Sequence, residues 1–328
     1  MKTIVISDYG VKLRFRKGVF RVESRDRVVE LNPLEVEQIV IATGGVSMSS
    51  KVVRKAVEYG IDLVVLDSRG YPIGRIYPVF INKTVDTRRA QYRAYYSGKA
   101  VDIIREIVYA KIANQAGLLK RYYYYTRINE LREAYEELIA ILDRVIDVSG
   151  ALEEAREKLR LLEAEAARIY WPSYSILLPE ELGFSTRDQD SPDPVNTTLN
   201  YGYGILYGEC WKILVLAGLD PYAGFMHVDR SGKPVLVFDF IEMYRFTVDY
   251  TLLVMYRKGW KPEVINGILD YKSRSRIISS LNSFLEKQRG RYIDEKPRTI
   301  RQIMKKSAFM LASHLRGEGL FKGFVWDW

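Results

Sequence analysis

Between Glu165 and Arg245 the chain spaces a carboxylate (Glu165), an imidazole (His227) and two acids one helical turn apart (Asp239 and Glu242). An oxygen-rich donor set with one nitrogen suits Mg²⁺ or Mn²⁺, whereas zinc prefers more imidazole and thiolate. The body carrying these acids is basic, with a net charge of +9 and a pI near 9.3. Acids gathered on a cationic body are what phosphodiester chemistry needs. The body draws in nucleic acid, and the acids hold a divalent ion at the scissile phosphate. The residues therefore predict a metal-dependent DNA-processing enzyme.

Each member of the set also has a bland reading. Glu165 lies in a helix expected to end at Trp171-Pro172, at the edge of the apolar stripe Ala155, Leu159, Leu162, Ala166 and Ile169. Alone it is an ordinary boundary glutamate with Arg168 at ion-pair spacing. His227 follows the turn Asp220-Pro221-Tyr222-Ala223-Gly224. A histidine presented straight after a rigid turn is well placed to bind a ligand. Asp239 and Glu242 share a face of a helix expected over 239–256, with Arg245 a turn further on. Such acids also suit a helix N-terminus, with Glu242 and Arg245 as a simple ion pair. The sum of the three elements favours the metal reading. No serine or cysteine sits in a nucleophile elbow and no GxxxxGK[ST] loop occurs, so acyl-enzyme chemistry and ATP hydrolysis are not indicated.

The elements that must position these groups fall into two parts. Residues 1–83 read as short β-branched strands around one helix, Lys51–Tyr59, capped by Ser49 or Ser50 and closed by Gly60. Residues 84–328 read as mainly helical. The fold class is α+β, a small strand-rich N-terminal domain before a larger helical domain holding the chemistry. Asn196 is the expected N-cap of a helix over 197–217, along which Gly204 and Gly208 would let another backbone approach. Cys210 in that helix reads as a packing residue. The run Tyr122–Tyr125 points all round a helix, which favours packing over a base-stacking platform. Residues 272–306 are dominated by Lys and Arg. Arg274, Arg276, Arg289, Arg291 and Lys305 are its candidate phosphate contacts. No membrane-length apolar run or secretory N-terminus is seen, and a single cysteine fits a reducing cytoplasm.

Four segments in order carry a resemblance: EAEAARIYW, DPVNTTLNYGYGILYGEC, GLDPYAGFMH and LVFDFIEMYRFTVD. Together they resemble the CRISPR-associated adaptation integrases, the Cas-one family, and the resemblance covers essentially the whole chain. It implies metal ligation by Glu165, His227 and Glu242, with Asp239 as an accessory acid and Asn196 and Arg245 near the site. Some members have Asp in place of Glu242. The implied reaction is insertion of short DNA fragments into a CRISPR array, by attack of the fragment's 3′-hydroxyl on a phosphodiester at a repeat edge. Water attacking instead would give nuclease activity. The implied partners are double-stranded DNA, a second copy bound through the N-terminal domain, and a dimer of the small companion protein Cas-two. Two Cas-one dimers would sandwich that dimer as a heterohexamer. The residues alone also admit a non-catalytic DNA-binding scaffold or a general repair nuclease acting without a partner.

Overall fold

The computed structural model describes residues 2–76, 84–228, 230–265 and 267–328. The expected domain boundary at residue 83 therefore lies outside the described residues. Its N-terminal part holds strands β1 Lys2–Ile6, β2 Lys12–Arg16, β3 Val19–Glu23, β4 Val28–Leu31, β5 Val36–Ile41 and β6 Ser47–Met48, then helix α1 Ser50–Glu58, β7 Asp62–Leu66 and β8 Pro72–Ile76. They form two sheets, ordered β4-β3-β2-β6 and β1-β5-β7-β8. In the second, β1, β5 and β7 run parallel and β8 closes the edge antiparallel.

Because strand side chains alternate, the second sheet serves two cores. Ile6 and Ile39 face a small core shared with Leu13, Phe20, Val52 and Ile61. Val64 and Leu66 face the other way, into the large core of the helical part. The strand-rich and helical parts are thus packed together through one sheet.

The helical part comprises α2 Thr84–Tyr95, α3 Gly98–Thr126, α4 Asn129–Ile146, α5 Leu152–Ile176, α6 Pro194–Leu216, α7 Val235–Ile241, α8 Phe246–Arg257, α9 Tyr271–Lys287 and α10 Ile300–Arg316. Two minor strand pairs, β9 Val264–Ile265 with β10 Ile268–Leu269 and β11 Arg289–Gly290 with β12 Arg298–Thr299, join the later helices. Helix α6 is apolar on nearly every side, as a fully enclosed helix must be, and Cys210 is buried within it. Burial pushes that thiol well above its ordinary pKa, which leaves it inert packing. The approach predicted at Gly204 is present. A Cβ there would lie 3.0 Å from the Gly70 carbonyl oxygen, and the Gly208 carbonyl accepts a bond from Arg75 Nη2 at 2.6 Å.

Three expectations are corrected. Helix α5 does not stop at Pro172 but runs on to Ile176. Its last turn is held by Tyr174, which packs on Trp171 and Phe184 and donates to the Asp249 carbonyl at 2.9 Å. The cap of α6 is Asp193, with Pro194 in the first turn; its side chain accepts from the amides of Val195 and Asn196. The helix expected over 239–256 is instead α7 and α8, separated by a single 3₁₀ turn at Glu242–Tyr244. Of the four tyrosines, Tyr122 is buried whereas Tyr124 and Tyr125 are exposed. No described helix is long and apolar enough to cross a membrane.

The C-terminal residues after α10 close over α3. Asn114 ties them down, accepting from the amide of Trp326 and donating to the Phe324 carbonyl. The same side chain amide reaches the Met243 carbonyl at 3.2 Å, so one buried residue fixes both the tail and the turn that carries Glu242.

Candidate active site

Helices α5, α6 and α7, with the turn before α7, wall a cleft of about 770 Å³ whose lining includes Glu163, His227 and Arg245. The turn 220–227 is fastened by Asp239. This fully buried carboxylate accepts from the amides of Phe225 at 2.6 Å, Met226 at 2.9 Å and His227 at 3.0 Å. Gly224 permits the fit, since a Cβ there would stand 2.7 Å from Asp239 Oδ2. Asp239 Oδ1 also meets His227 Nδ1 at 2.7 Å. That contact assigns the proton to Nδ1 and leaves Nε2 as the nitrogen with a free lone pair. Burial lowers the affinity of His227 for a second proton. The bond to Asp239 and the charges of Asp239, Glu242 and Glu163 outweigh it, so its pKa is raised on balance.

With both oxygens committed, Asp239, expected as an accessory acid, orients His227 and fastens the turn before α7. Glu242, in the 3₁₀ turn, is also buried. Arg245 Nε donates to its Oε1 at 2.8 Å, and Lys111 Nζ of α3 lies 2.6 Å from its Oε2. Burial alone would raise the Glu242 pKa, but the Arg245 and Lys111 cations hold it well below the usual carboxylate range. Lys111 is simultaneously paired with Glu163 of α5.

Glu165 is not part of this cluster. It lies on the outer side of α5, partly exposed and 2.7 Å from Arg144 of α4. Residues two apart on an α-helix diverge by roughly 200°, so Glu163 and Glu165 cannot serve the same cleft. The helix thus turns Glu163 into the cleft that His227 also lines, one ammonium away from Glu242, and turns Glu165 toward Arg144. A signal for this existed in the sequence. Glu163 stands at i+4 from Leu159, i−3 from Ala166 and i−7 from Tyr170, inside the stripe, whereas Glu165 stands at its edge, beside Leu162 and Ile169. Lys111 is a similar lone charge along a helical face between Ile107 and Leu118, both fully buried.

Asn196 does not line the cleft but shapes its wall. Its Oδ1 accepts from Arg187 Nη1 at 2.8 Å and from the Asp188 amide at 3.0 Å. Arg187, also bonded to Asn200, lines the cleft with Arg156, Arg160, Arg230 and Lys233. These cations escaped the sequence reading because they are scattered along the chain. The basic stretch 272–306 divides differently. Arg276, Arg289, Arg291 and Lys305 are exposed and Arg274 is half-buried. Arg301 is buried against Glu209 and Glu286, while Arg298 and Lys306 pair with Asp294. None of the five candidate phosphate contacts lines the cleft.

Behind the cleft, the buried Asp249 of α8 accepts from the hydroxyls of Tyr203 and Tyr170. Arg245 lies 4.5 Å over the Tyr203 ring. Burial pushes the Asp249 pKa up to about 6, against the opposing pull of the two hydroxyls, Arg245 and Arg187. A carboxyl raised in the folded state contributes stability below its unfolded pKa and loses it as pH rises through about 6. Asp249→Asn should therefore gain on the parent by about 1–1.5 kcal/mol between roughly pH 5 and pH 7.5. Urea melts of both proteins at the two pH values measure this, and a pH-independent difference would refute it.

Among the described residues no three His, Cys, Asp or Glu side chains close on one point tightly enough to grip an ion as they stand. The Lys111 ammonium lies between two of the candidates. The donor chemistry nonetheless fits a hard divalent ion. Glu242 Oε2 is buried and meets the Lys111 ammonium at 2.6 Å, Glu163 faces it across that ammonium, and His227 offers Nε2.

A model of the family described as CRISPR associated protein Cas1 matches residues 4–282. The chain is 36% identical over 324 residues to the CRISPR-associated endonuclease Cas1 2 of Saccharolobus solfataricus, covering 99% of this chain and 98% of that one. Among solved structures, a casposase bound to integration product has a TM-score of 0.81 at 21% identity, over 98% of this chain and 93% of that chain. A chain of a Cas6-RT-Cas1–Cas2 complex has a TM-score of 0.76 at 20% identity, over 99% of this chain and 36% of that chain. At those identities the structures speak for the fold alone. The family model and the Saccharolobus relative go further, and together they show that this chain belongs to the CRISPR-associated protein Cas1 family.

Proposed function

We propose that this protein is a divalent-metal-dependent DNA endonuclease and integrase. It inserts short DNA fragments into a CRISPR array by 3′-hydroxyl attack on a repeat-edge phosphodiester. The observation that carries the reading is that Lys111 joins Glu163 to Glu242 beside an arginine-lined cleft that Glu163 and His227 both line, in a chain of this family. Its relatives are named endonucleases, and the casposase with the same fold was solved with an integration product.

Glu163, Glu242 and His227 Nε2 would hold Mg²⁺ or Mn²⁺, which when bound would activate the attacking hydroxyl and offset charge building on the phosphate. Asp239 keeps the His227 ring turned so that Nε2 faces outward from the bond at Nδ1. Arg245 stays on Glu242, holding that carboxylate ionised and aimed. Arg156, Arg160, Arg187, Arg230 and Lys233 bind the DNA backbone and set its register in the cleft, with Asn196 and Asn200 locking Arg187. Arg274, Arg276, Arg289, Arg291 and Lys305 supply a second contact area for longer duplex.

The working unit on this reading is a dimer joined through the strand-rich part, residues 1–83. Its support is the exposed Val28 and Val29 on edge strand β4, with Leu34 just beyond it. Two such dimers would enclose a Cas2 dimer in the cytoplasm. The test is a strand-transfer assay with a short 3′-hydroxyl duplex and repeat-bearing DNA, in Mg²⁺, in Mn²⁺ and in EDTA, with and without Cas2. Cut and joined products should appear with either metal and vanish in EDTA. Absence of both products in every metal, or their persistence in EDTA, would overturn the reading.

A further inference from the structure

Lys111 rises from α3 beneath the cleft, its neighbours along the helix being buried apolar residues. A buried ammonium is costly unless opposite charges surround it, and here Glu163 and Glu242 do so. The contact to Glu242 Oε2 balances charge without giving that oxygen a well-formed hydrogen bond. The two carboxylates are already neutralised by two cations, Lys111 between them and Arg245 on the far oxygen of Glu242. An ion arriving with Lys111 still in place would find the charges of Glu163 and Glu242 already balanced by those two cations.

We propose that Lys111 is a resident cation occupying the metal's place in the metal-free protein, and that a divalent ion binds only by displacing its ammonium from Glu163 and Glu242. Lys111 then holds the two acids in register when no metal is present and weakens metal affinity in exchange. It acts as a positioning residue. Its four-carbon stem lets the head group withdraw without moving the helix. This rests on the reading of Glu163, His227 and Glu242 as the ligand set.

The test is Mn²⁺ titration of the full chain, read by the electron paramagnetic resonance of free Mn²⁺, with thermal melting in EDTA and in Mn²⁺. The proteins are the parent, Lys111→Met, Lys111→Gln, Glu163→Gln and Glu242→Gln. In EDTA both Lys111 variants should melt below the parent, because the buried Glu242 and the partly buried Glu163 lose their shared counterion. In Mn²⁺ they should bind on the order of tenfold more tightly than the parent, with a larger metal-induced rise in melting temperature. Equal or weaker Mn²⁺ affinity in folded Lys111 variants overturns the proposal, as does unchanged melting in EDTA. Should a variant unfold in EDTA, recovery of its fold on adding Mn²⁺ supports the proposal and failure to recover overturns it. If no protein in the set binds Mn²⁺, or the Glu163 and Glu242 variants bind like the parent, the ligand set itself is refuted and this inference falls with it.

Discussion

Glu163→Gln is expected to lower metal-dependent cleavage and strand transfer at least about a hundredfold, while Glu165→Gln stays within about twofold of the parent. The substitution keeps the size of the side chain and removes only the charge. At Glu163 that charge sits beside Lys111 and Glu242 in the cleft. At Glu165 it serves an ion pair with Arg144 that solvent largely screens. The two positions share one helix and differ by half a turn, so each controls for damage to α5 by the other. A loss of activity at Glu165 with Glu163→Gln still active would reverse the assignment. Glu163→Gln should also weaken Mn²⁺ binding, which separates a lost ligand from a lost DNA contact.

Asp239 carries the second large effect. Its two oxygens accept three backbone amides and the His227 ring, so no lone pair is directed at the cleft. Asp239→Ala should cost about 3–5 kcal/mol in urea-unfolding stability, because the amides and the imidazole are left without their buried acceptor. Asp239→Asn is the sharper probe. It keeps the volume and one acceptor, yet its NH₂ must face either the amides of Phe225 and Met226 or the amide and ring of His227. Asp239→Asn should be less stable than the parent, and Mn²⁺ affinity should fall about 10–100-fold as the His227 ring loses its fixed orientation. Parental affinity in a folded Asp239→Asn protein would show that His227 does not depend on this carboxylate.

These two residues also mark how far the sequence could be read. The two-part architecture was legible because its signals are local. Short β-branched runs give way to long 3.6-residue periodicities, and the structure has strands and one helix up to residue 76 and mainly helices from residue 84 onward. The turn presenting His227 was legible for the same reason. The choice between Glu163 and Glu165 was not settled by type or motif, since both are glutamates in one segment. It depends on which side of α5 faces α3 and the 3₁₀ turn, a property of helix packing. A lone charge inside an apolar stripe was the available clue, and Lys111 repeats it. The cationic wall was illegible for another reason. Arg156, Arg187 and Arg230 come from three separate elements, whereas the eye is drawn to the contiguous basic run at 272–306, much of which is spent on internal ion pairs. The break at Glu242–Tyr244 also leaves no mark in the sequence, because Glu, Met and Tyr are all accommodated within an α-helix.

Helix α6 touches both parts of the molecule. Asn196, Asn200 and Tyr203 serve the cleft, and one turn on, Gly204 abuts the backbone of Gly70 while Tyr71 from that same turn lines the cleft wall. At that point backbone meets backbone with no side chain to yield, so a methyl group at position 204 would press on the Gly70 carbonyl oxygen, 3.0 Å away, and strain the turn that holds Tyr71 at the cleft.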